Sequence, residues 1–117
     1  MPYLLLIHEP VGQRQQRTEA EGQAVYDRML QFASRLEQRG VLRGVESLGS
    51  QDDASRVKVR GGQGHVLDGP FTEAKEMVGG FFLIDVATRD EAIANARECP
   101  AAEWATVEVR VTAPCCT

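Results

Sequence analysis

A chain of 117 residues is one domain's worth of sequence and has no room for a second independent core. With 43% hydrophobic and 26% charged residues it has the composition of a globular protein, which excludes a disordered or fibrous chain. The 13 Lys and Arg against 17 Asp and Glu give a net charge of −4 with no basic stripe, so no direct nucleic-acid partner is expected.

The apolar run Tyr3 to Ile7 reads as a strand buried on both faces. It is much shorter than a membrane span and lacks the basic start of a signal peptide, so a cytoplasmic chain with no membrane partner is expected. Thr18-Glu-Ala-Glu21 has the pattern of a capping box and predicts a helix start. Val25, Met29, Phe32, Ala33 and Leu36 form one apolar stripe after it, and Gly40 is a natural terminator, so the helix is expected to reach about Arg39. Val41 to Leu48 reads as a second strand, and 49–54 as a polar loop. Arg56-Val-Lys-Val-Arg60 alternates with period two and Gly61-Gly-Gln-Gly64 turns the chain into a short run around His65 to Leu67, a hairpin at the sheet margin. Asp68 to Glu76 reads as a turn centred on Pro70 with one helical turn capped by Thr72. Gly79 to Val86 is again apolar on both faces. A second capping box at Thr88-Arg-Asp-Glu91 opens a short helix that ends before Cys99-Pro100, and Ala105 to Val111 is an alternating closing strand.

Three cysteines, two of them adjacent at Cys115 and Cys116, do not make a disulfide framework. Cys99, His8 and His65 lack the paired spacing of a zinc site, so no metal and no cofactor is expected. Residues 1–112 are expected to form the single domain and 113–117 a flexible tail.

The order βαβ, hairpin, βαβ predicts an α+β fold of the ferredoxin-like βαββαβ type with an extra marginal hairpin. In that arrangement the first and third main strands are central, and those are the two that are apolar on both faces. Two helices cover one sheet face only, so the other face predicts a homodimer related by a two-fold axis.

The most distinctive string is Asp68-Gly-Pro-Phe-Thr-Glu-Ala-Lys-Glu76. Together with Tyr3-Leu-Leu-Leu-Ile7, Gly79-Gly-Phe-Phe82, Glu98-Cys-Pro100 and Val107-Glu-Val-Arg110, it resembles the signature of the DGPF branch of the YCII-related proteins, over nearly the whole domain. The resemblance implies a two-fold dimeric α+β barrel with a cavity between sheet and helices in each subunit. Some relatives occur joined to or beside extracytoplasmic-function sigma factors, which implies a regulatory setting. Other YCII-related proteins resemble small acid–base enzymes that place a His on the first helix with an Asp soon after. Here that helix holds Tyr26-Asp27-Arg28 and no histidine, so the His–Asp chemistry does not carry over.

The candidate site residues follow from the turn and the first strand. Asp68 is the leading acid–base candidate, with Phe71, Glu73 and Lys75 as ligand-binding candidates; the alternative is a purely structural Asp-Gly-Pro turn. His8 and Glu9 end the first strand, where His8 is placed to relay a proton with Asp68 or Glu9, or to act as a hydrogen-bonded structural residue. Arg110 is expected at the surface opposite the closing valines. Two functions fit. One is a regulatory or ligand-binding module for a small polar molecule; the other is a lyase or isomerase using Asp68 with His8 or Lys75 as acid and base.

Overall fold

The computed structural model describes residues 1–117. Six strands and two α-helices form in the expected order: β1 (Pro2–Pro10), α1 (Glu19–Gln38), β2 (Leu42–Ser47), β3 (Ser55–Arg60), β4 (Gln63–Asp68), β5 (Glu76–Asp85), α2 (Arg89–Glu98) and β6 (Thr106–Val111). Both helix starts are capped by their threonines, the first as a full reciprocal box and the second with its hydroxyl half alone, because the Glu91 carboxylate accepts from the Ala87 N–H instead of the Thr88 N–H. Thr18 Oγ1 accepts from the Glu21 N–H at 3.1 Å while the Glu21 carboxylate accepts from the Thr18 N–H at 2.9 Å, and Thr88 Oγ1 accepts from the Glu91 N–H at 3.2 Å. No helix is long and apolar enough to cross a membrane.

β2, β5, β1 and β6 form one antiparallel sheet in that order, so the two strands that are apolar throughout are the central ones. This is an α+β architecture with both helices on one face. On that inner face Leu5 and Ile84 meet Phe32 and Leu36 of α1 and Ala92 and Ala96 of α2 in one core. The Phe32 and Phe82 rings meet edge to face, 5.0 Å between centroids. The outer face carries Leu4 and Leu6 of β1 opposite Leu83 and Phe81 of β5, and these stay half-exposed because no element of the chain covers them.

β3 and β4 form a separate two-stranded sheet, joined through Gly61 and Gly62, both with positive φ as a tight two-residue hairpin turn demands. All residues of both strands are exposed. The segment after it departs from expectation in two ways. Thr72 caps no helical turn: the only backbone bond within residues 69–75 runs from the Ala74 N–H to the Phe71 carbonyl, because the chain stays pinned to the 50s loop rather than coiling. And β5 begins at Glu76, three residues before Gly79, since its first residues still pair with the end of β1.

The pinning explains the string Asp68-Gly-Pro-Phe71. The Gly69 N–H donates to the Ala54 carbonyl at 2.7 Å, and a β-carbon on Gly69 would lie 2.0 Å from the Gln51 carbonyl oxygen. Phe71 is buried, with the Arg56 guanidinium 3.7 Å from its ring centroid, and Ser55 Oγ donates to Asp68 at 2.6 Å. The residues 51–54, expected as a plain polar loop, instead make a short 3-10 helix at Gln51–Asp53 with Gln51 buried, because this is the surface on which the turn seats.

Gly69→Ala forces backbone apart from backbone and should cost about 1–3 kcal/mol, the range for overpacking. Denaturant unfolding measures that loss, and hydrogen exchange should report faster exchange at the hairpin base; unchanged stability would contradict this account of the turn.

Candidate functional site

The first half of α1 has no fully buried residue. The helix's fully buried residues, Phe32 and Leu36, lie in the second half, while Val25, Tyr26, Met29 and Leu30 look into a cavity of about 560 Å³ between helix and sheet. The opposite wall is Ile7 and Glu9 of β1, Val45 of β2, and Gly79 and Gly80 of β5, with Trp104 and Arg17 at one side. A β-carbon at Gly79 would run into the Glu9 carboxylate and one at Gly80 into the Glu46 carbonyl, so glycine at both positions permits these close approaches in the cavity wall. Of the 19 lining residues 11 are hydrophobic, so a ligand here meets an apolar wall with a few polar groups.

Those polar groups are led by Glu9. It falls in the register of Tyr3, Leu5 and Ile7, the buried face of β1, and is itself buried. Arg14 makes the burial tolerable: its Nε donates to Glu9 Oε2 at 2.9 Å and its Nη2 to Glu9 Oε1 at 2.7 Å. The same guanidinium donates to the Leu48 carbonyl at 2.8 Å and to the Gly79 carbonyl at 3.4 Å. A β-carbon at Gly79 would lie 1.8 Å from Glu9 Oε1, so glycine there is a condition for the pair. Arg17 is different. It donates to the Gln13 side chain at 3.2 Å and its guanidinium stands 5.7 Å from the Trp104 ring centroid, but it makes no ion pair with a carboxylate.

Apart from Glu9, the residues singled out from sequence do not line this cavity. His8 points to the outer sheet face, because neighbours on a strand point to opposite sides, and so does not meet Glu9. Its partner is Glu108 of β6, Nε2 to Oε1 at 2.7 Å, and neither Asp68 nor Glu9. His8 and Phe71 do line one hollow of about 500 Å³, with Ala54, Arg56, Glu76 and Val78 among its other walls. Asp68 and Lys75 line neither this hollow nor the α1 cavity. Asp68 is held by Ser55, and Glu73 is exposed, 3.5 Å from Arg56. The Lys75 carbonyl accepts from the Val11 N–H at 2.9 Å, a tie between β1 and the turn. Arg110 is exposed beside Glu108 at 3.6 Å, as its register requires, and His65 is exposed on the hairpin.

Shifted titrations mark scaffold rather than site. Hydrogen bonds from Arg39 hold the Glu98 carboxyl below its usual range, and those from Arg28 do the same for Glu103, which fastens α1 to α2 and to the 3-10 helix Pro100–Glu103. Burial pushes the Cys99 thiol up, which makes it a core side chain and a poor nucleophile. No cluster of acidic, His and Cys side chains could hold a metal ion.

Sequence reasoning overlooked Arg14, Arg17, Tyr26, Trp104 and Glu108. A signal for Arg14 was present: an acid on the buried register of β1 requires a counter-charge close by.

Removing one member of a buried pair typically costs about 3–5 kcal/mol, and the partial exposure of Arg14 lowers the expectation for Arg14→Ala to about 2–3 kcal/mol. Urea unfolding checks this, and Glu9→Gln with Arg14→Ala should recover part of the loss; a neutral Arg14→Ala would remove the pair from its structural role.

Two comparisons with known proteins bear on this arrangement. A protein of Rhizobium meliloti (strain 1021), described only as uncharacterized, is 47% identical over 45 residues, a stretch that covers 38% of this chain and 36% of that protein. The sequence model of the YCII-related domain matches residues 1–114, which takes in the whole sheet, both helices and the cavity between them: the chain belongs to the YCII-related domain family.

Proposed function

We propose that this protein is a cytoplasmic homodimer that binds a small amphipathic carboxylate in the cavity between α1 and the sheet, in a regulatory rather than a catalytic capacity. The observation that carries the reading is the cavity itself, about 560 Å³ and walled mainly by apolar side chains, with the Arg17 guanidinium at its side. The Glu9–Arg14 pair satisfies itself and presents little net charge, whereas Arg17 makes no ion pair and is the cation we assign to the ligand. Val25, Met29 and Phe82 suit a hydrocarbon body, and Arg17 with the Tyr26 hydroxyl suits its anionic end. The apolar lining supports an amphipathic ligand, where the sequence alone led to a small polar one.

The strand order β2-β5-β1-β6 is that of a ferredoxin-like sheet, and the uncovered outer face supports packing of two such sheets as in a dimeric α+β barrel. The string Asp68 to Phe71 supports the DGPF branch within the family, and with it the link to sigma-factor systems.

A second reading, a lyase or isomerase, is favoured by one observation. His8 and Glu108 form a 2.7 Å pair at the edge of the second hollow, an arrangement that orients an imidazole for proton transfer. Asp68 would then act, with His8 or Lys75, from the turn beside that hollow, and Phe71 and Glu73 would border the substrate.

Thermal shift with hexanoate and phenylacetate against their amides separates the readings. The carboxylates should raise the melting temperature and the amides should not, Arg17→Ala should weaken carboxylate binding about tenfold, and Met29→Trp should abolish it by filling the cavity. Equal shifts for acid and amide would discard the anionic ligand, and turnover of any metabolite that is lost in Asp68→Asn with the fold intact would favour the enzyme.

A further inference from the structure

We propose that Gln13 is the positioning residue of the α1 cavity: its side-chain amide holds the Arg17 guanidinium at the cavity's side without neutralising it, and so sets the preference for a carboxylate over an uncharged ligand. The inference rests on the carboxylate reading above and adds to it the group that decides its specificity.

Three side chains are brought together here from two distant connections. Gln13 and Arg17 lie between β1 and α1, where the Gln16 N–H donates to the Gln13 carbonyl and the Arg17 N–H to the Arg14 carbonyl, each at 3.2 Å, closing the 3-10 turn Arg14–Gln16. The turn folds the segment back far enough for side chains four residues apart to meet, and Arg17 Nη2 donates to Gln13 Oε1 at 3.2 Å. At the other end of the same amide, Gln13 Nε2 donates to the Trp104 carbonyl at 2.8 Å, 91 positions along the chain. Trp104 follows the 3-10 helix Pro100–Glu103, and its ring centroid stands 5.7 Å from the Arg17 guanidinium. An amide suits this place because it offers one acceptor and one donor group: the oxygen meets a guanidinium, the nitrogen a carbonyl.

Arg17 differs from its neighbours in that both of its tethers are neutral. Arg14 is bound to Glu9, Arg28 to Glu103 and Arg39 to Glu98, so each of those charges is compensated within the chain. An amide oxygen and an aromatic face orient a guanidinium and leave its net charge in place. The Glu21 carboxyl is held below its usual range first by the Thr18 N–H and only last by Arg17, and it accepts from that N–H at 2.9 Å. Arg28 also stands 5.4 Å from the Trp104 ring, but Glu103 takes its charge. Gln13 itself does not line the cavity, so its effect on a ligand passes through Arg17. A guanidinium already held in place spares the ligand the cost of ordering a long, flexible side chain.

The test is titration of the full chain with hexanoate and hexanamide, followed by the fluorescence of Trp104, the single tryptophan. The wild type should prefer hexanoate about tenfold. Gln13→Met keeps the length of the side chain and loses both hydrogen bonds; it should weaken hexanoate about fivefold and leave the weaker hexanamide binding unchanged. Gln13→Glu should erase the preference, because its carboxylate pairs with Arg17. Gln13→Met combined with Arg17→Ala should bind hexanoate no worse than Arg17→Ala alone. Urea unfolding verifies that each variant is folded, and a purely structural role for Gln13 would weaken both ligands alike. A Gln13→Met variant that keeps the full preference, or whose loss adds to that of Arg17→Ala, overturns the positioning role while the carboxylate reading stands. A wild type with no preference for hexanoate overturns both.

Discussion

The Glu9–Arg14 pair is the constraint around which the rest of the molecule is arranged. A carboxylate on the helix-facing side of a central strand has to be neutralised there, and Arg14 does it with two hydrogen bonds while spending its other donors on the Leu48 and Gly79 carbonyls. One guanidinium thereby joins the end of β1, the first of the paired glycines in β5 and the segment that leaves β2. The tie fixes the open end of the sheet, where hydrophobic packing is absent.

The cavity follows from that arrangement. α1 is anchored by Phe32 and Leu36 near its C-terminal end, where the core is dense, and by the Arg28 and Arg39 ion pairs to the segments after it. Toward its N-terminal end it passes over Gly79 and Gly80, which offer no side chains to pack on, and over a polar pair that cannot serve as hydrophobic core. The helix is thus packed into the core at one end and lines the cavity at the other. Open space of this kind costs stability, because apolar side chains such as Val25 and Leu30 line it instead of packing fully on neighbours.

On the opposite side of the sheet the chain leaves its apolar residues uncovered. The two helices take one face, and Leu4, Leu6, Phe81 and Leu83 on the other are only half-buried. The hairpin repeats the pattern, with valines presented to solvent on a two-stranded ribbon. The turn from Asp68 to Phe71 connects the two surfaces. By seating Gly69 on the Gln51 carbonyl and burying Phe71, it sets the direction in which the hairpin leaves the sheet. The most distinctive string of the sequence is in this way accounted for by packing: glycine where another backbone comes close, and phenylalanine as the anchor.

Local chemistry made much of this legible. A threonine with a glutamate three residues on marks both helix starts because its hydroxyl satisfies an orphan N–H of the first turn, although the reciprocal carboxylate bond closes only at Thr18. Strands apolar at every position identify the centre of the sheet, since only a central strand is flanked by neighbours on both edges and packed on its faces. Period two also placed Arg110 at the surface. What sequence order could not supply was which side chains meet across strands: His8 pairs with Glu108, 100 residues away, because β1 and β6 are antiparallel neighbours in a fixed register. Nor could it show that the space beside Glu9 is a cavity, or that Asp68 and Lys75 line neither hollow. The residues by themselves determined the elements, their order and the one-sided burial of the sheet, because those depend on periodicity and capping. The tertiary structure decided the location of the cavity and the partners of each charge, because those depend on register and on how far a helix stands from its sheet.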